Sequence, residues 1–268
     1  MDRDIVLFDM DGTLTEPRKS FVPFLSSPLW NLGQVADIGI VTGSDYDYVK
    51  EQLSHLINDH SIRYCLHILP CNGTKWFSPP DSSKEGHRLT HEVSMRDELG
   101  KRNYRNLIEA LAKLQAEASL EYDIPLTGHF ISPRGSMVNW CPSGRLASDE
   151  ERVRFKKFDK EYGFRRQFLG KLENKLVGMN LLDKVTVKLG GDTSFDIYPT
   201  GWDKTYALRH FSGRNVWFVG DRAHSPKGND YEIFMACEPR SFHTSGPEQT
   251  REIIEGIADI LGGSNGSN

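Results

Sequence analysis

Three short apolar runs along the chain each end at a polar side chain. They are Ile5–Phe8 before Asp9, Ile38–Val41 before Thr42, and Val216–Val219 before Gly220 and Asp221. A run of apolar residues without alternation predicts a strand that is buried on both faces, as in a parallel sheet. Because ligands bind beyond the carboxyl ends of such strands, the three polar side chains are predicted to share one ligand-binding edge.

Helical spacing of apolar residues follows the second run and returns near the C-terminus. The positions are Tyr46, Val49, Leu53 and Leu56, and then Ile253, Ile254, Ile257 and Leu261. Both ends of the chain are therefore predicted to contain strand and helix units. We expect Gly262 and Gly263 to end the last helix, and residues 262–268, which are Gly, Ser and Asn, to form a frayed tail.

The middle of the chain has a different pattern. Lys101–Ala118 has helical spacing, and Ser148 with Glu151 predicts a capping box at the start of a charged helix. Residues 186–189 and 194–198 alternate around a Gly-Gly pair, which is typical of a hairpin with one solvated face. This indicates an α+β insert with an antiparallel sheet.

The expected fold class is therefore α/β, a Rossmann-like doubly wound parallel core sheet with an inserted α+β domain. We place the boundaries near Glu85 and Pro199. The core would comprise residues 1–85 and 199–268, and the insert residues 86–198.

Composition narrows the class of protein. The chain has 268 residues, 38% hydrophobic and 26% charged, which suits a globular protein and excludes wholesale disorder. Its net charge of -4 offers no overall positive field for nucleic acid or anionic lipid, and no apolar run approaches the ~20 residues that span a membrane. The four cysteines form no CxxC pair, so reduced thiols and a cytoplasmic location are expected.

Carboxylates concentrate at the predicted strand ends. Asp9 and Asp11 lie two residues apart in the DMDGT loop, so one could attack an electrophile while the other moves a proton. With Asp221 they form a hard, oxygen-only set that suits Mg²⁺ and substrate phosphate oxygens. The alternative is that Asp9 caps a turn and Asp11 starts one.

The order of the motifs extends this interpretation. DMDGTLT opens the chain, Thr42 follows the second strand, GWDKTYAL contains Lys204, and GDRAHSPKGND contains Asp221 and Asp230. Taken alone, Lys204 would be a solvated surface lysine. The ordered set resembles the haloacid dehalogenase superfamily, and the position of the insert resembles that of its C2-type cap.

That resemblance implies a role for each residue. Asp9 would take the phosphoryl group by in-line attack, and Asp11 would protonate the leaving oxygen. Thr42 would hold a nonbridging oxygen, and Lys204 would neutralise charge. The Mg²⁺ ligands would be Asp9, Asp11, Asp221 and Asp230.

The insert contains three arginines within a short stretch, Arg134, Arg145 and Arg152. A guanidinium can grip a phosphate with two parallel hydrogen bonds, and the N-terminus of the helix opened by Ser148 adds free N–H groups. These arginines could hold a second phosphate. The alternative is that they are ordinary solvated side chains, with Arg152 paired to Asp149 or Glu150.

Four longer segments bear on this choice: FISPRGSMVNWCPSGR, SDEERVRF, GGDTSFDIYPTGWDKTYALRHF and GNDYEIF. In this order they resemble the eukaryotic-type α-phosphomannomutases of that superfamily. The resemblance implies that the three arginines hold the phosphate remote from the reacting one, and that Ser194 and Asp196 touch sugar or phosphate. It also implies a substrate-binding role for Arg18, and it matches Asn72-Gly73 to a pair at the end of a core strand.

The chain also departs from that family. It has Thr42-Gly43-Ser44-Asp45 where Gly-Gly-Ser-Asp is expected, so Ser44 competes with Thr42 as a phosphate ligand. Lys227 stands where Gly is expected, and residues 76–121 match poorly. These departures predict a difference from that family in cap motion or in the choice of hexose.

The resemblance implies a Mg²⁺-dependent isomerase that interconverts mannose 6-phosphate and mannose 1-phosphate through phospho-Asp9, with a hexose 1,6-bisphosphate activator. It further implies a hexose phosphate substrate, a homodimer formed through the cap and a place in GDP-mannose biosynthesis. Glucose phosphates are an open alternative substrate of the same mutase. The alternatives to a mutase are a sugar-phosphate phosphatase of the same fold and a silent sugar-phosphate sensor.

Overall fold

The computed structural model describes residues 3–17, 19–59, 62–81, 86–226 and 228–264. Its strands are β1 (Ile5–Phe8), β2 (Asp37–Val41), β3 (Leu66–Leu69), β4 (Lys75–Ser78), β5 (Arg88–Glu92), β6 (Ile131–Pro133), β7 (Val138–Trp140), β8 (Val185–Gly190), β9 (Ser194–Pro199), β10 (Val216–Gly220) and β11 (Ser241–His243). Its α-helices are α1 (Ser26–Val35), α2 (Tyr46–Asn58), α3 (Met95–Leu99), α4 (Lys101–Glu121), α5 (Asp149–Tyr162), α6 (Phe164–Gly178), α7 (Tyr231–Cys237) and α8 (Pro247–Ser264). Short 3-10 helices span Pro23–Leu25, Cys71–Gly73 and Lys204–Phe211.

The chain divides into two compact units. The first, which we call the core unit, comprises Met1–Glu92 and Asp203–Asn268, and the second, the cap unit, comprises Val93–Trp202. Both divisions fall later than the expected boundaries near 85 and 199. The first is displaced because β5 hydrogen-bonds to β4 and so belongs to the core sheet.

The core sheet has the strand order β11-β10-β1-β2-β3-β4-β5. The first five strands in that order are parallel, whereas β4 and β5 add an antiparallel hairpin at one edge. Ile5 of the interior strand β1 pairs with Val216 on one side and Asp37 on the other. The expected α/β class with a largely parallel core sheet is confirmed.

Both faces of this sheet are covered by apolar side chains. Val6 and Phe8 point into a core cluster that includes residues of α1, α2 and α8. Ile5 and Leu7 point into a second cluster that includes Ala207 and Ile233. Alternate residues of β1 thus enter opposite cores, which explains why its sequence is apolar throughout.

The last helix continues past the predicted stop. α8 extends to Ser264 and includes Gly262 and Gly263, so the expectation of a tail beginning at 262 is wrong for residues 262–264. Tertiary packing outweighs the weak helix propensity of glycine, because Ile254 and Ile257 are buried in the core cluster that contains α1 residues. Residues 265–268 lie outside the described part of the chain.

The cap unit contains a four-stranded antiparallel sheet in the order β6-β7-β9-β8. One of its faces packs aromatic side chains, with Trp140 stacked on Phe195 at 4.7 Å between ring centroids. The predicted capping box is confirmed, since Ser148 and Glu151 each hydrogen-bond to the other's backbone N–H. Among the described residues, no helix is both long enough and apolar enough to cross a membrane.

Candidate active site and cap network

The order of the strands brings the predicted site residues together. Asp221, Asp9 and Thr42 follow β10, β1 and β2, which are adjacent in the sheet. The backbone N–H of Asp9 donates to the carbonyl of Val219, on β10, at 2.9 Å. Asp9 is therefore held at the point where the hydrogen bonds between β1 and β10 end. The three residues therefore share the carboxyl edge of the parallel sheet, as expected.

Lys204 lies at the centre of this site. It is 1% exposed, and its ammonium forms ion pairs with Asp9 and with Asp230, the latter at 2.5 Å. Asp230 is also buried and accepts the backbone N–H of Arg222 at 3.0 Å. The lysine is thus buried because two carboxylates satisfy it, which a sequence considered residue by residue does not reveal.

Three carboxylates surround this single ammonium. Oxygens of Asp9, Asp221 and Asp230 all lie within 4.8 Å of one another. The side chain of Arg222, which is 42% exposed, lies 3.7 Å from Asp221 at the rim. The buried charges alone sum to an excess of negative charge, which is costly in a low-dielectric environment.

Burial and mutual repulsion shift the carboxylates in one direction. Burial raises the pKa of Asp9 well above its ordinary value of 3.8, and Asp230 and Asp221 raise it further against the opposing effect of Lys204. Burial and Asp230 likewise raise the pKa of Asp221. Although burial opposes it, Asp230 and Asp9 raise the pKa of Lys204, so that its ammonium stays charged.

These features fit a divalent cation. Asp221 Oδ1 is buried and has no hydrogen-bond donor among the described residues. A buried carboxylate oxygen without a donor, beside two further carboxylates, supplies the hard oxygen ligands that Mg²⁺ prefers. Asp9, Asp221 and Asp230 are the residues that could hold the ion.

The backbone at Gly12 makes room for Asp221. Gly12 has φ +90, and a Cβ there would lie 2.5 Å from Asp221 Oδ2. Only glycine combines that conformation with such a close approach. The Gly of DMDGT therefore serves the position of the late aspartate as well as the turn.

Asp11 does not belong to the group of three clustered carboxylates. Its Oδ1 accepts the hydroxyl of Tyr48, on α2, at 3.2 Å. Asp11 is only partly buried, which keeps its side chain accessible for proton transfer. Tyr48 was not predicted as a site residue, because its place in a helical pattern carries no signal of a partner 37 positions earlier.

Thr42 is buried, and its Oγ1 accepts the backbone N–H of Ser44 at 3.1 Å. The Ser44 carbonyl in turn accepts the backbone N–H of Cys71 at 2.8 Å. The loop after β2 is thereby tied to the turn after β3, which contains Asn72 and Gly73.

That turn also supports the helix that carries Lys204. Gly73 has φ +82, and a Cβ there would lie 2.6 Å from that of Ala207, so the turn and the 3-10 helix Lys204–Phe211 are in direct backbone contact. His210 Nε2 donates to the Gly73 carbonyl at 2.7 Å. Burial lowers the pKa of His210, which favours the neutral ring. The sequence did not predict this contact between His210 and Gly73, because a lone histidine has no characteristic spacing.

In the cap unit, several predicted substrate-binding residues meet at one buried amide. Asn139 Oδ1 accepts from Arg145 Nη1 at 2.8 Å. Asn139 Nδ2 donates to Asp196 Oδ1 at 2.7 Å and to Ser194 Oγ at 3.0 Å. We call these four residues the cap network. Asn139 was not predicted from the sequence.

Arg152 lies beside the cap network. Its Nη2 donates to the Arg145 carbonyl at 2.7 Å and its Nε donates to the Ala147 carbonyl at 2.9 Å. Arg134 is partly buried and directly follows β6. Arg18 and Lys227 lie outside the residues that the structure describes.

Together, the Rossmann-like core, the acidic site at its strand ends and the inserted cap define a member of the haloacid dehalogenase superfamily. The fold resembles the IMP-bound IMP-nucleotidase of Plasmodium falciparum, with a TM-score of 0.66 at 13% identity over 97% of this chain and 67% of that one. It also resembles a trehalose-6-phosphate phosphatase related protein, with a TM-score of 0.56 at 16% identity over 97% of this chain and 99% of that one.

Sequence comparison places the chain more closely. The family model "Eukaryotic phosphomannomutase" matches residues 25–260. Phosphomannomutases of Spinacia oleracea and Glycine max are 38% and 36% identical, each over 92% of both chains. Phosphomannomutase 1 of Dictyostelium discoideum is 34% identical over 93% of this chain and 94% of its own. The chain belongs to the eukaryotic phosphomannomutase family.

Proposed function

We propose that this enzyme interconverts mannose 6-phosphate and mannose 1-phosphate through a phosphorylated Asp9. The observation that carries the proposal is the buried Lys204, paired with Asp9 and Asp230 beside an Asp221 oxygen that lacks a donor. Such a site combines a nucleophile with fixed positive charge. Family membership specifies the sugar.

In the first half-reaction an Asp9 oxygen attacks a phosphorus of the hexose bisphosphate in line with the leaving sugar oxygen, the P–O bond to that oxygen breaks, and a hexose monophosphate is released. Lys204 holds Asp9 in place and offsets charge that builds on the phosphoryl oxygens. Asp11 gives its proton to the leaving oxygen and takes one back when the phosphoryl group returns. Thr42 holds a nonbridging oxygen through its hydroxyl.

Mg²⁺, when bound by Asp9, Asp221 and Asp230, supplies charge neutralisation at the phosphoryl oxygens. It would also lower the pKa of Asp9, which burial and two carboxylates raise. Asp9 would then be ionised, as a nucleophile must be.

The cap residues provide for the second phosphate. A mutase must bind a hexose bisphosphate in two orientations, so it needs one group of residues that reacts and another that only binds. Arg145, Arg152 and Arg134 would hold the remote phosphate, Arg18 would assist, and Ser194 and Asp196 would contact the sugar. Hexose 1,6-bisphosphate would prime the enzyme by phosphorylating Asp9.

Three wider features belong to the same proposal. The enzyme would supply mannose 1-phosphate for GDP-mannose synthesis, work in the cytoplasm and form a homodimer through the cap unit. Four free, buried cysteines are compatible with a reducing compartment. Family membership supports the other two features.

A sugar-phosphate phosphatase is the second candidate, favoured by Thr42, a residue that resembles the general superfamily rather than the mutases. One assay separates the two. The protein receives mannose 1-phosphate, Mg²⁺ and a trace of glucose 1,6-bisphosphate, and mannose 6-phosphate and inorganic phosphate are followed together. The mutase forms the 6-phosphate with little free phosphate, whereas stoichiometric phosphate release would support the phosphatase.

Asp9→Asn tests the nucleophile in the same assay. We expect turnover to fall by at least about 10⁴-fold, because an amide cannot attack phosphorus. Asp47→Asn is the matched control, since that carboxylate is 90% exposed and should be neutral in activity. Retained turnover in a pure, folded Asp9→Asn protein would overturn the mechanism. Failure of the wild type to accept beryllofluoride on Asp9 would support a silent sensor.

A further inference from the structure

Asn139 occupies the middle of the cap sheet. It lies on β7, where it pairs with Ser132 of β6 and with Asp196 of β9, and it is 2% exposed. Its neighbours Val138 and Trp140 are buried as well. A polar side chain at such a position is costly unless every donor and acceptor is satisfied.

The partners of Asn139 allow only one orientation of its amide. Arg145 can only donate, so the oxygen must face it, and the Asp196 carboxylate can only accept while it is ionised, so the NH₂ must face it. Ser194 Oγ accepts from the same NH₂, and its hydroxyl donates a hydrogen bond to the Gly190 carbonyl at 2.8 Å. The donors and acceptors therefore form a directed chain from Arg145 to β8.

We propose that Asn139 is a positioning residue that sets the spacing between the phosphate-binding Arg145 and the sugar-binding Asp196. This inference rests on the proposed function, which supplies the roles of those two residues. A single planar amide that contacts both fixes their separation and keeps them from forming a direct ion pair. The separation of Arg145 and Asp196, which one side chain fixes, would thus match the distance between a sugar ring and its remote phosphate.

The surrounding structure leaves Asp196 little room to move. A Cβ at Gly190 would lie 2.6 Å from Asp196 Oδ2, so the backbone of β8 lies directly against this carboxylate. On β8, Lys188 is opposite Asp196 in register. The placement of Asp196 is therefore set from two sides, by the amide of Asn139 and by the backbone at Gly190.

No other natural side chain of this size offers both an oxygen that accepts from Arg145 and an NH₂ that donates to Asp196. Leucine would fill the space but removes the oxygen for Arg145 and the NH₂ for Asp196. Aspartate keeps the oxygen for Arg145 but faces Asp196 with a second carboxylate. These two substitutions therefore disturb different halves of the cap network.

The test uses the full-length enzyme with mannose 1-phosphate as the probe. Asn139→Leu should raise KM and the Kd measured in EDTA by about tenfold or more, since about 1.4 kcal/mol corresponds to tenfold. kcat should change by less than about threefold, because the acidic site is intact. Gln115→Leu is the matched control. It removes a partly buried amide whose oxygen accepts from Trp140, the β7 neighbour of Asn139, at 2.8 Å, and this amide contacts neither Arg145 nor Asp196.

Asn139→Asp provides a signature that loss of folding cannot mimic. At pH 8 its Kd should exceed that of the wild type by about tenfold, with repulsion from Asp196 outweighing attraction to Arg145. At pH 5.5 a proton shared by the two carboxyls restores a donor, so the ratio to the wild type at that pH should return towards one. Lys188 and Arg145 are the charged neighbours that oppose this protonation. Both side chains keep their charge at pH 8 and at pH 5.5, so their effect is the same in the two measurements.

The outcomes distinguish the inference from the proposed function. If Arg145→Met weakens binding but both Asn139 variants bind like the wild type, the inference is wrong and the function stands. If Gln115→Leu weakens binding as much as Asn139→Leu, Asn139 has only a structural role and the inference is again wrong. If the wild type binds no mannose 1-phosphate, the proposed function fails and the inference with it.

Discussion

The core unit and the cap unit differ in how their buried polar groups are balanced. In the core, two buried carboxylates pair with one buried ammonium beside a third, partly buried carboxylate, and the remaining negative charge suits a cation. In the cap, a neutral amide separates an arginine from an aspartate. The difference suits the proposed roles. Excess charge prepares the core site to take up a metal ion and a phosphoryl group, whereas a network of matched donors and acceptors holds binding groups at a set distance.

The largest expected effect compares two lysines that each lie between two carboxylates. Lys204 is 1% exposed, whereas Lys171 of the cap, paired with Glu117 and Glu121, is 35% exposed. Lys204→Met should lower the unfolding free energy by about 3–5 kcal/mol and abolish turnover, because it leaves buried carboxylates uncompensated. Lys171→Met should cost at most about 1 kcal/mol.

Chemical denaturation of both variants in EDTA measures this difference. Similar losses in the two proteins would contradict the buried-charge account of the core site. Recovery of the Lys204→Met protein by Mg²⁺ would support it, since the ion replaces part of the missing positive charge.

The second comparison uses two glycines that each lie against a carboxylate. Gly12→Ala combines an unfavourable positive φ with a clash against Asp221, so we expect a loss of about 2 kcal/mol and weaker Mg²⁺ binding. Gly190→Ala displaces Asp196 without a positive φ. It should raise KM for the sugar phosphate and leave Mg²⁺ binding unchanged.

Thermal unfolding and Mg²⁺ titration of the two alanine variants check this pair. If Gly190→Ala weakened Mg²⁺ binding as much as Gly12→Ala does, the separation of tasks between the two units would be wrong.

The third prediction concerns pH. The pKa values of Asp9 and Asp221 are raised in the folded protein, so the native state holds protons that the unfolded state releases. Stability of the metal-free protein should therefore fall as pH rises from 3.8 through the raised values, and level off above them. Mg²⁺ should reduce this loss, because it stabilises the ionised form.

Melting temperatures in EDTA and in Mg²⁺, measured from about pH 4.5 to about pH 8, check the sign of this pH dependence. Asp221→Asn should flatten the EDTA curve. Equal slopes with and without Mg²⁺ would argue against cation binding at these carboxylates.

The smallest effect belongs to the cap alone. Ser148 accepts the backbone N–H of Glu151 at 3.3 Å at the start of α5. Ser148→Ala should lower the free energy of unfolding by about 1 kcal/mol, because it removes the N-cap hydrogen bond of α5. Ser119→Ala, within α4, should cost nothing or stabilise slightly because alanine favours helix. Equal melting temperatures for the two variants would show that the capping box contributes little.

The sequence predicted a substantial part of the fold and of the site. β1, β2 and β10 are apolar runs that end in polar residues, and the structure brings Asp9, Thr42 and Asp221 to one edge of the sheet. This succeeds because a strand buried on both faces leaves a continuous apolar signature. β5 leaves none, since its residues are mostly exposed, and it was assigned to the insert.

Site residues divide in the same way. Asp9, Asp11 and Lys204 lie in motifs that can be read along the chain. Tyr48 and Asn139 contact partners 37 and 57 positions away, and neither has a local pattern that marks it. Such residues contribute through side-chain hydrogen bonds that exist only after strands and helices have packed.

Local pattern along the chain was thus sufficient for the alternation of strands and helices, for the class of fold and for the identity of the carboxylates at the strand ends, because burial and backbone geometry impose their periods on neighbouring residues. Packing alone determined that Lys204 is buried between two aspartates, that Asp221 keeps an oxygen without a donor, and that Asn139 joins Arg145 to Asp196. Those properties depend on charges and hydrogen-bonding groups that are distant in the chain, so their energies are defined only once the folded backbone brings them within contact.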